Sequence, residues 1–410
     1  MPTLQEKKGK IEKLLAELGE LSIQAPERIK LTELTQLTQQ APIIRATNFI
    51  LEKAIDSRAS DILIEPLEKN TRIRIRIDGI LHQVELLPKS FHSLIVSRIK
   101  VIADLDIAEH RLPQDGQFRI RYKGREVEFR VSVFPTITGE KVALRVLDKT
   151  TGLLDIDKLG MSEEKLKRLK QAVLLPHGMI LVCGPTGSGK TTTLYSILRF
   201  ILSPEKNIVT VEDPVEYQIK GINQVSVNPK TGLVFGRCLR AILRQDPDVI
   251  MIGEIRDSET LDIAVKAALT GHLVLSTLHT TTAAGSIIRL VDMGIEPFLI
   301  NATLIAIISQ RLACRICPSC RKRLPSQPYF KAEGCKECMN TGYKGRILIS
   351  EILYMSAQIR EAILSKRLDE HRIKELARSE GMRTLREEAE TLAREGMISL
   401  EEAYRVTPPD

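Results

Sequence analysis

Gly184-Pro185-Thr186-Gly187-Ser188-Gly189-Lys190-Thr191 fits the spacing G-x-x-x-x-G-K-[ST], between an apolar run, Met179–Val182, and a helical pattern over Thr192–Leu202. Strand, glycine-rich turn and helix in that order predict a phosphate-binding loop. Glycines let the backbone wrap closely, so that N–H groups at a helix start point at phosphate oxygens. Lys190 is then expected to reach the β- and γ-phosphates, and Thr191 to ligate Mg²⁺, with Thr192 beside it in the first turn. ATP and Mg²⁺ are the expected ligands.

Outward from this loop, apolar runs at Ile208–Val211, Val249–Ile252 and Leu273–Ser276 alternate with helical patterns. Such alternation implies βαβ units, and hence a parallel sheet covered by helices in an α/β fold. Ligands of such sheets bind at the carboxyl ends of the strands. Two runs end in acids there: Val211-Glu212-Asp213-Pro214-Val215-Glu216, and Ile252-Gly253-Glu254-Ile255-Arg256-Asp257. Glu212 is a candidate to polarise an attacking water, and Glu254 to organise Mg²⁺ or its waters as a Walker-B carboxylate would. His272 and His279 bracket the strand Leu273–Ser276, and their imidazoles are candidates to contact a γ-phosphate and report its loss.

The first part of the chain has a different grammar. Arg72-Ile-Arg-Ile-Arg-Ile77, then Asp78-Gly79, then Ile80–Val84 predict a β-hairpin with one basic face. A helix is expected from Pro42 to about Arg58 and another over Ser90–Ala103, with strands at Gln117–Tyr122, Arg125–Phe134 and Lys141–Leu147. This is a smaller α+β domain of mainly antiparallel strands. Further upstream, Ile11, Leu14, Leu15, Leu18 and Leu21 have the spacing of an amphipathic helix.

Cys317-Pro-Ser-Cys320 and Cys335-Lys-Glu-Cys338 supply enough thiolates for one closed, tetrahedral Zn²⁺. A closed shell leaves no position for water, so the metal is expected to be structural. Cys314 also lies close upstream and stands as an alternative ligand.

The 410 residues are 43% hydrophobic and 27% charged, a globular composition long enough for two large domains. No stretch reaches the roughly 18 apolar residues of a membrane span. Glu6, Lys7, Lys8 and Lys10 at the start do not resemble a secretory signal, so a cytoplasmic location is expected. The net charge of +8 is modest for this size. Aromatic residues make up 4%, with no Trp and none between Arg72 and Leu81, so the stacking platforms of a nucleic-acid motor are lacking. Direct nucleic-acid binding is not expected, although a RecA-like nucleic-acid translocating motor is the rival function.

The chain resembles the secretion ATPases of type II secretion and type IV pilus assembly. The resemblance runs from about Ser60 to Tyr404 and rests on many ordered blocks. In the first domain these are Arg58–Pro66, Arg111-Leu-Pro-Gln-Asp-Gly116, Phe129-Arg-Val-Ser132, Gly139-Glu-Lys141 and Ala143–Leu147. In the second they are the phosphate loop, Glu212–Glu216, Leu239–Asp248, Gly253–Asp257 and Leu269–His279. It implies a homo-hexamer in which nucleotide lies between a RecA-like domain and an N-terminal α+β (PAS-like) domain, acting on an inner-membrane platform and peripherally associated with the inner membrane. It further implies that Arg240 and Arg244 contact nucleotide, and that Arg111, Arg130 and Arg145 form a basic set turned toward phosphate. Many relatives carry arginine where this chain has Gln117. The tetracysteine places the chain with extension and secretion motors, since retraction relatives usually lack it. With about forty residues before the matching region, docking to a membrane-bound recruitment partner is expected to be reduced or to use the helix Lys10–Leu21. The expected organisation is an N-terminal helical segment (1–40), the α+β domain (41–149), a linker (150–160), the ATPase core (161–312), the cysteine insert (313–345) and a C-terminal helical region (346–410).

Overall fold

The computed structural model of the chain describes residues 41–148, 154–325, 327–365 and 368–409. The expected helix Lys10–Leu21 lies outside the described residues. The chain divides into two compact units, Met1–Thr151 and Gly152–Asp410.

In the first unit six strands form one antiparallel sheet in the order β3-β2-β1-β6-β5-β4. They are β1 (Asp61–Pro66), β2 (Asn70–Ile77), β3 (Ile80–Pro88), β4 (Gln114–Tyr122), β5 (Arg125–Thr136) and β6 (Gly139–Asp148). Helices Ala41–Asp56 and His92–Ile102 bring Ile50, Leu51, Leu94 and Ile95 into one core with Ile62, Ile64, Ile73, Ile75 and Phe129. The alternation in β2 puts its isoleucines on that core face and its arginines on the other. Asp78 and Gly79 take positive φ of 49° and 88°, as the tight hairpin turn requires. The arginines are neutralised within the sheet: Arg72 and Arg74 both donate to Glu65, and Arg76 pairs with Asp61. The basic face inferred from sequence is therefore a salt-bridged one.

The second unit is built on a seven-stranded sheet of order β15-β12-β7-β11-β10-β8-β9. Its strands are β7 (Gly178–Cys183), β8 (Ile208–Glu212), β9 (Asn223–Ser226), β10 (Val249–Ile252), β11 (Leu273–Leu278), β12 (Leu304–Ile316) and β15 (Tyr343–Tyr354). All neighbours are parallel except the edge strand β15, which runs antiparallel to β12. Every residue of β7, β8, β10 and β11 is buried, because helices cover both faces. This is the expected α/β, RecA-like architecture, and the chain's other unit is the smaller α+β one.

β12 and β15 are not foreseen as strands. The expected boundary at 312 falls inside β12, and the cysteine segment hangs between two strands of the core sheet, with the short strands β13 (Arg321–Arg323) and β14 (Phe330–Ala332) within it. Helices Leu385–Arg394 and Leu400–Val406 pack Leu385, Ala389, Ala393 and Ala403 against Ala313 of β12 and Ile349 of β15.

Candidate active site

The Gly184–Thr191 loop joins the carboxyl end of β7 to the helix Lys190–Ile201. At Gly184, φ is +146°, and a Cβ would stand 2.5 Å from the Gln310 carbonyl oxygen and 2.7 Å from Ser188 Oγ. Gly189 caps the helix at φ +90°, in the left-handed region that favours glycine. Pro185, Thr186 and Gly187 form the exposed rim, and Thr191 and Thr192 follow in the first helical turn. A helix start leaves its first N–H groups without intrahelical partners, which suits an anion. Among the described residues the buried Ser188 hydroxyl has no hydrogen-bond partner. Such an orphaned donor beside open N–H groups fits a phosphate. Lys190 Nζ donates to the carbonyls of Gly184 (2.8 Å) and Pro185 (3.1 Å), so the ammonium lies within the loop. Burial pushes its pKa down, and the charge on Glu254 works against that.

Glu254 follows β10 and accepts from Arg256 Nη2 (2.6 Å), with His279 Nε2 at 3.4 Å from its other oxygen; its side chain is 15% exposed. His279 follows β11, the strand between β7 and β10, so strand order brings these groups to one edge. Gly253 lets β10 approach β8: a Cβ there would meet the Glu212 backbone at 3.3 Å.

Glu212, although it ends β8, turns inward and is 3% exposed. Its carboxylate accepts from the hydroxyl of Tyr195 on the phosphate-loop helix, from Thr210 Oγ1 (2.6 Å) and from Gln224 Nε2 (3.2 Å). Burial and the Glu212 carboxylate raise the Tyr195 pKa far above its usual range, so the proton stays on the phenol.

His272, expected at a γ-phosphate, lies at the opposite edge of the sheet from the same chain's loop. β11 is parallel to β7 with Leu273 beside Gly178 and Leu278 beside Cys183. His272 therefore sits at the amino edge, roughly 20 Å from the same chain's loop at about 3.3 Å per residue. There its Nδ1 lies 2.9 Å from the carbonyl of Ala267.

Arg240 pairs with Glu259 (2.6 Å), and Arg244 donates to the Arg240 carbonyl; both are exposed. In the first unit Arg111 is 91% exposed beside Glu109. Gln117, Arg130 and Arg145 occupy one cross-strand row on β4, β5 and β6, and Arg145 pairs with Asp61 of β1.

Residues missed from sequence are Tyr195, Thr210 and Gln310. The available signal is polarity in otherwise apolar stretches: Ser309-Gln310-Arg311 interrupts Leu304–Leu312, and buried polar groups must find partners.

The sulfur atoms of Cys317, Cys320, Cys335 and Cys338 all lie within 4.8 Å of one another. Three pairs are 3.7–3.8 Å apart, close to the ~3.8 Å edge of a tetrahedron with Zn–S bonds of about 2.3 Å. Backbone N–H groups of Cys335 and Gly342 donate to Cys338 Sγ; against burial, which raises it, they hold that thiol down at about 7. The cluster is compatible with zinc. Cys314 is outside it, on β12 opposite Arg346.

Among the described residues no helix is long and apolar enough to cross a membrane. Residues 36–405 match the family described as type II/IV secretion system protein. Type II secretion system protein HxcR of Pseudomonas aeruginosa is 48% identical over 378 residues, covering 92% of this chain and 80% of its own. The type IV pilus assembly ATPase PilB of Myxococcus xanthus is 44% identical over 425 aligned residues, covering 99% and 75%. Among solved structures, the pilus retraction motor PilT with bound ADP superposes with a TM-score of 0.62 at 31% identity, covering 88% of this chain and 96% of that one. A phosphate loop set beside an acid–histidine pair, on a chain of which residues 36–405 match the family, leads to one conclusion: the chain belongs to the family of type II/IV secretion system proteins.

Proposed function

We propose that the chain is a Mg²⁺-dependent ATPase that works as a homo-hexamer and powers type II secretion or type IV pilus assembly through an inner-membrane platform. The observation that carries this reading is the convergence of Lys190, Glu254 and His279 on one sheet edge around the glycine loop. The loop N–H groups and Lys190 bind the phosphates and take up the charge that develops on them as water attacks in line. Bound Mg²⁺ would supply further neutralisation of that charge, held by Thr191 with Glu254 behind its waters. Glu254, oriented by Arg256 and His279, is the residue of the edge best placed to direct a water. Glu212 is spoken for by three donors and supports the edge from within. His279 touches Glu254 and so is placed to report loss of the γ-phosphate as a change in charge balance. Arg240, Arg244, Arg111, Arg130 and Arg145 are proposed as phosphate contacts in the assembled hexamer. Cys317, Cys320, Cys335 and Cys338 are proposed to hold a structural Zn²⁺.

The test is ATP hydrolysis by the purified chain with and without Mg²⁺, beside Lys190→Ala. Expected are Mg²⁺-dependent turnover and its loss in a folded variant; turnover unchanged by Lys190→Ala refutes the site. Retention on membranes carrying a pilus or secretion platform, compared with and without ATP, tests the coupling.

A further inference from the structure

β12 lies beside β7 in parallel register as far as Ser309 opposite Cys183, and then runs on past the end of β7 along the phosphate loop, still paired with β15. The first residue past the pairing with β7 is Gln310, fully buried. Its amide makes two directed contacts. Nε2 donates to the carbonyl of Ser188 (2.9 Å), and Oε1 accepts from Thr193 Oγ1 on the following helix (2.9 Å). Its backbone carbonyl fills the space against which Gly184 has no side chain, and its Nε2 would lie 3.3 Å from a Cβ on Gly189. One residue thus touches the loop at its start, its end and the helix after it.

The consequence lies in peptide geometry. Across a planar trans peptide the C=O of one residue and the N–H of the next point in opposite directions. Pinning the Ser188 carbonyl to Gln310 turns the Gly189 N–H to the other side of the loop, away from Gln310. That N–H is among the donors that a glycine-rich loop offers a phosphate. Arg311 extends the tie: Nη1 donates to the Gln310 carbonyl (2.9 Å) and Nη2 to the Thr281 carbonyl (2.8 Å), two residues beyond His279. Ser309 Oγ donates to the same Thr281 carbonyl (3.1 Å).

We infer that Gln310 is a positioning residue for nucleotide binding, which fixes the Ser188–Gly189 peptide from beneath the phosphate loop, and that Arg311 locks the segment after His279 to the same support. This rests on the phosphate loop being the ATP site. A buried glutamine that merely fills space would behave otherwise. Its replacement by a residue of similar length would alter stability alone, whereas loss of this amide leaves the Ser188 carbonyl free to rotate and the Thr193 hydroxyl unpaired.

The experiment compares the full chain with Gln310→Met and Gln310→Glu, reading ATP affinity on a fluorescent ATP analogue, kcat, KM and thermal unfolding. Gln310→Met is expected to weaken nucleotide binding about tenfold, one hydrogen bond's worth, with KM rising more than kcat falls. Gln310→Glu separates positioning from filling. Its carboxyl group accepts from Thr193 in either protonation state but donates to the Ser188 carbonyl only when protonated, and burial raises its pKa. Its kcat/KM relative to the parent should therefore fall as pH rises from about 6 to about 8.5. If Gln310→Met fails to fold, the Gln310→Glu profile alone decides. Affinity within about twofold of the parent for folded Gln310→Met, or a Gln310→Glu profile superimposable on the parent's, overturns the inference. A parent chain that binds no ATP analogue overturns instead the reading of the loop on which it rests.

Discussion

Tyr195 and Glu212 are joined by a direct hydrogen bond that links the phosphate-loop helix to the end of β8 beneath the acidic turn. The phenol is fully buried with a fully buried carboxylate as its acceptor, so neither partner can turn to water for compensation. Tyr195→Phe keeps the ring and removes only the donor. It should cost about 1–3 kcal/mol of stability, the price of a buried charge short of one partner, read as a lowered unfolding midpoint. An unchanged midpoint would mean that Thr210 and Gln224 suffice for Glu212.

The two strand-end glutamates should separate kinetically. Glu254→Gln keeps the shape and removes the charge beside Lys190 and His279, so kcat should fall by orders of magnitude, at least ~10²-fold, while ATP still binds. Glu212→Gln should act mainly through stability, since its carboxylate is enclosed by Tyr195, Thr210 and Gln224. Steady-state kinetics with nucleotide-binding measurements on both variants check this. A larger kcat loss for a folded Glu212→Gln would reverse the two assignments.

Acid should weaken the first unit through Glu65. Burial raises its pKa, but the Arg74 bidentate contact and the Arg72 charge outweigh that and hold it below the usual carboxylate range. An acid with a lowered folded pKa lends stability at pH values above its unfolded pKa and loses it as pH falls through the folded one. Glu65→Gln should therefore destabilise β1 and β2 at neutral pH, with the difference shrinking as pH falls below the unfolded pKa of Glu65 and vanishing only once pH has passed below its lowered folded pKa, where the parent carboxylate is protonated too. Amide exchange of those strands across pH reads the effect, and a difference that persists in acid would count against the ion pairs.

Metal analysis should find one zinc per chain, held by the four clustered cysteines. Chelation, or Cys320→Ser, is expected to expose the 315–343 segment to protease and to disturb turnover only indirectly, because a closed four-sulfur shell cannot activate water. Protein purified without added metal that contains no zinc, yet has full activity and an unchanged digestion pattern, would refute the site.

Much of this was legible because period and punctuation agree. The Arg–Ile alternation in β2 and the Asp78-Gly79 turn specify a hairpin, and Gly184–Thr191 between an apolar run and a helical one specifies the loop. β12 was not, since Ser309-Gln310-Arg311 breaks its apolar run and only the neighbouring β7 explains why polar side chains are buried there. The inward turn of Glu212 depends on Tyr195 and Gln224, far off in sequence, and no local pattern encodes it. His272 is different. The carboxyl-edge rule that selects Glu254 also puts a residue preceding its strand at the opposite edge from the same chain's loop, so that placement was present in the order of residues.

β12 runs as one strand from Leu304 to Ile316, with a register shift between Cys314 and Ile316, flanking the phosphate loop at Gln310 and entering the cysteine cluster at Cys317. An extended backbone is already near its full length of about 3.3 Å per residue and cannot be drawn out further. Because β12 is also hydrogen-bonded to β15 along this stretch, a pull on the cysteine knuckle would be shared between the two strands before it reached the floor of the nucleotide pocket. The support of the phosphate loop and the cysteine cluster thus share one stretch of extended backbone, with Gln310 and Cys317 seven residues apart along it.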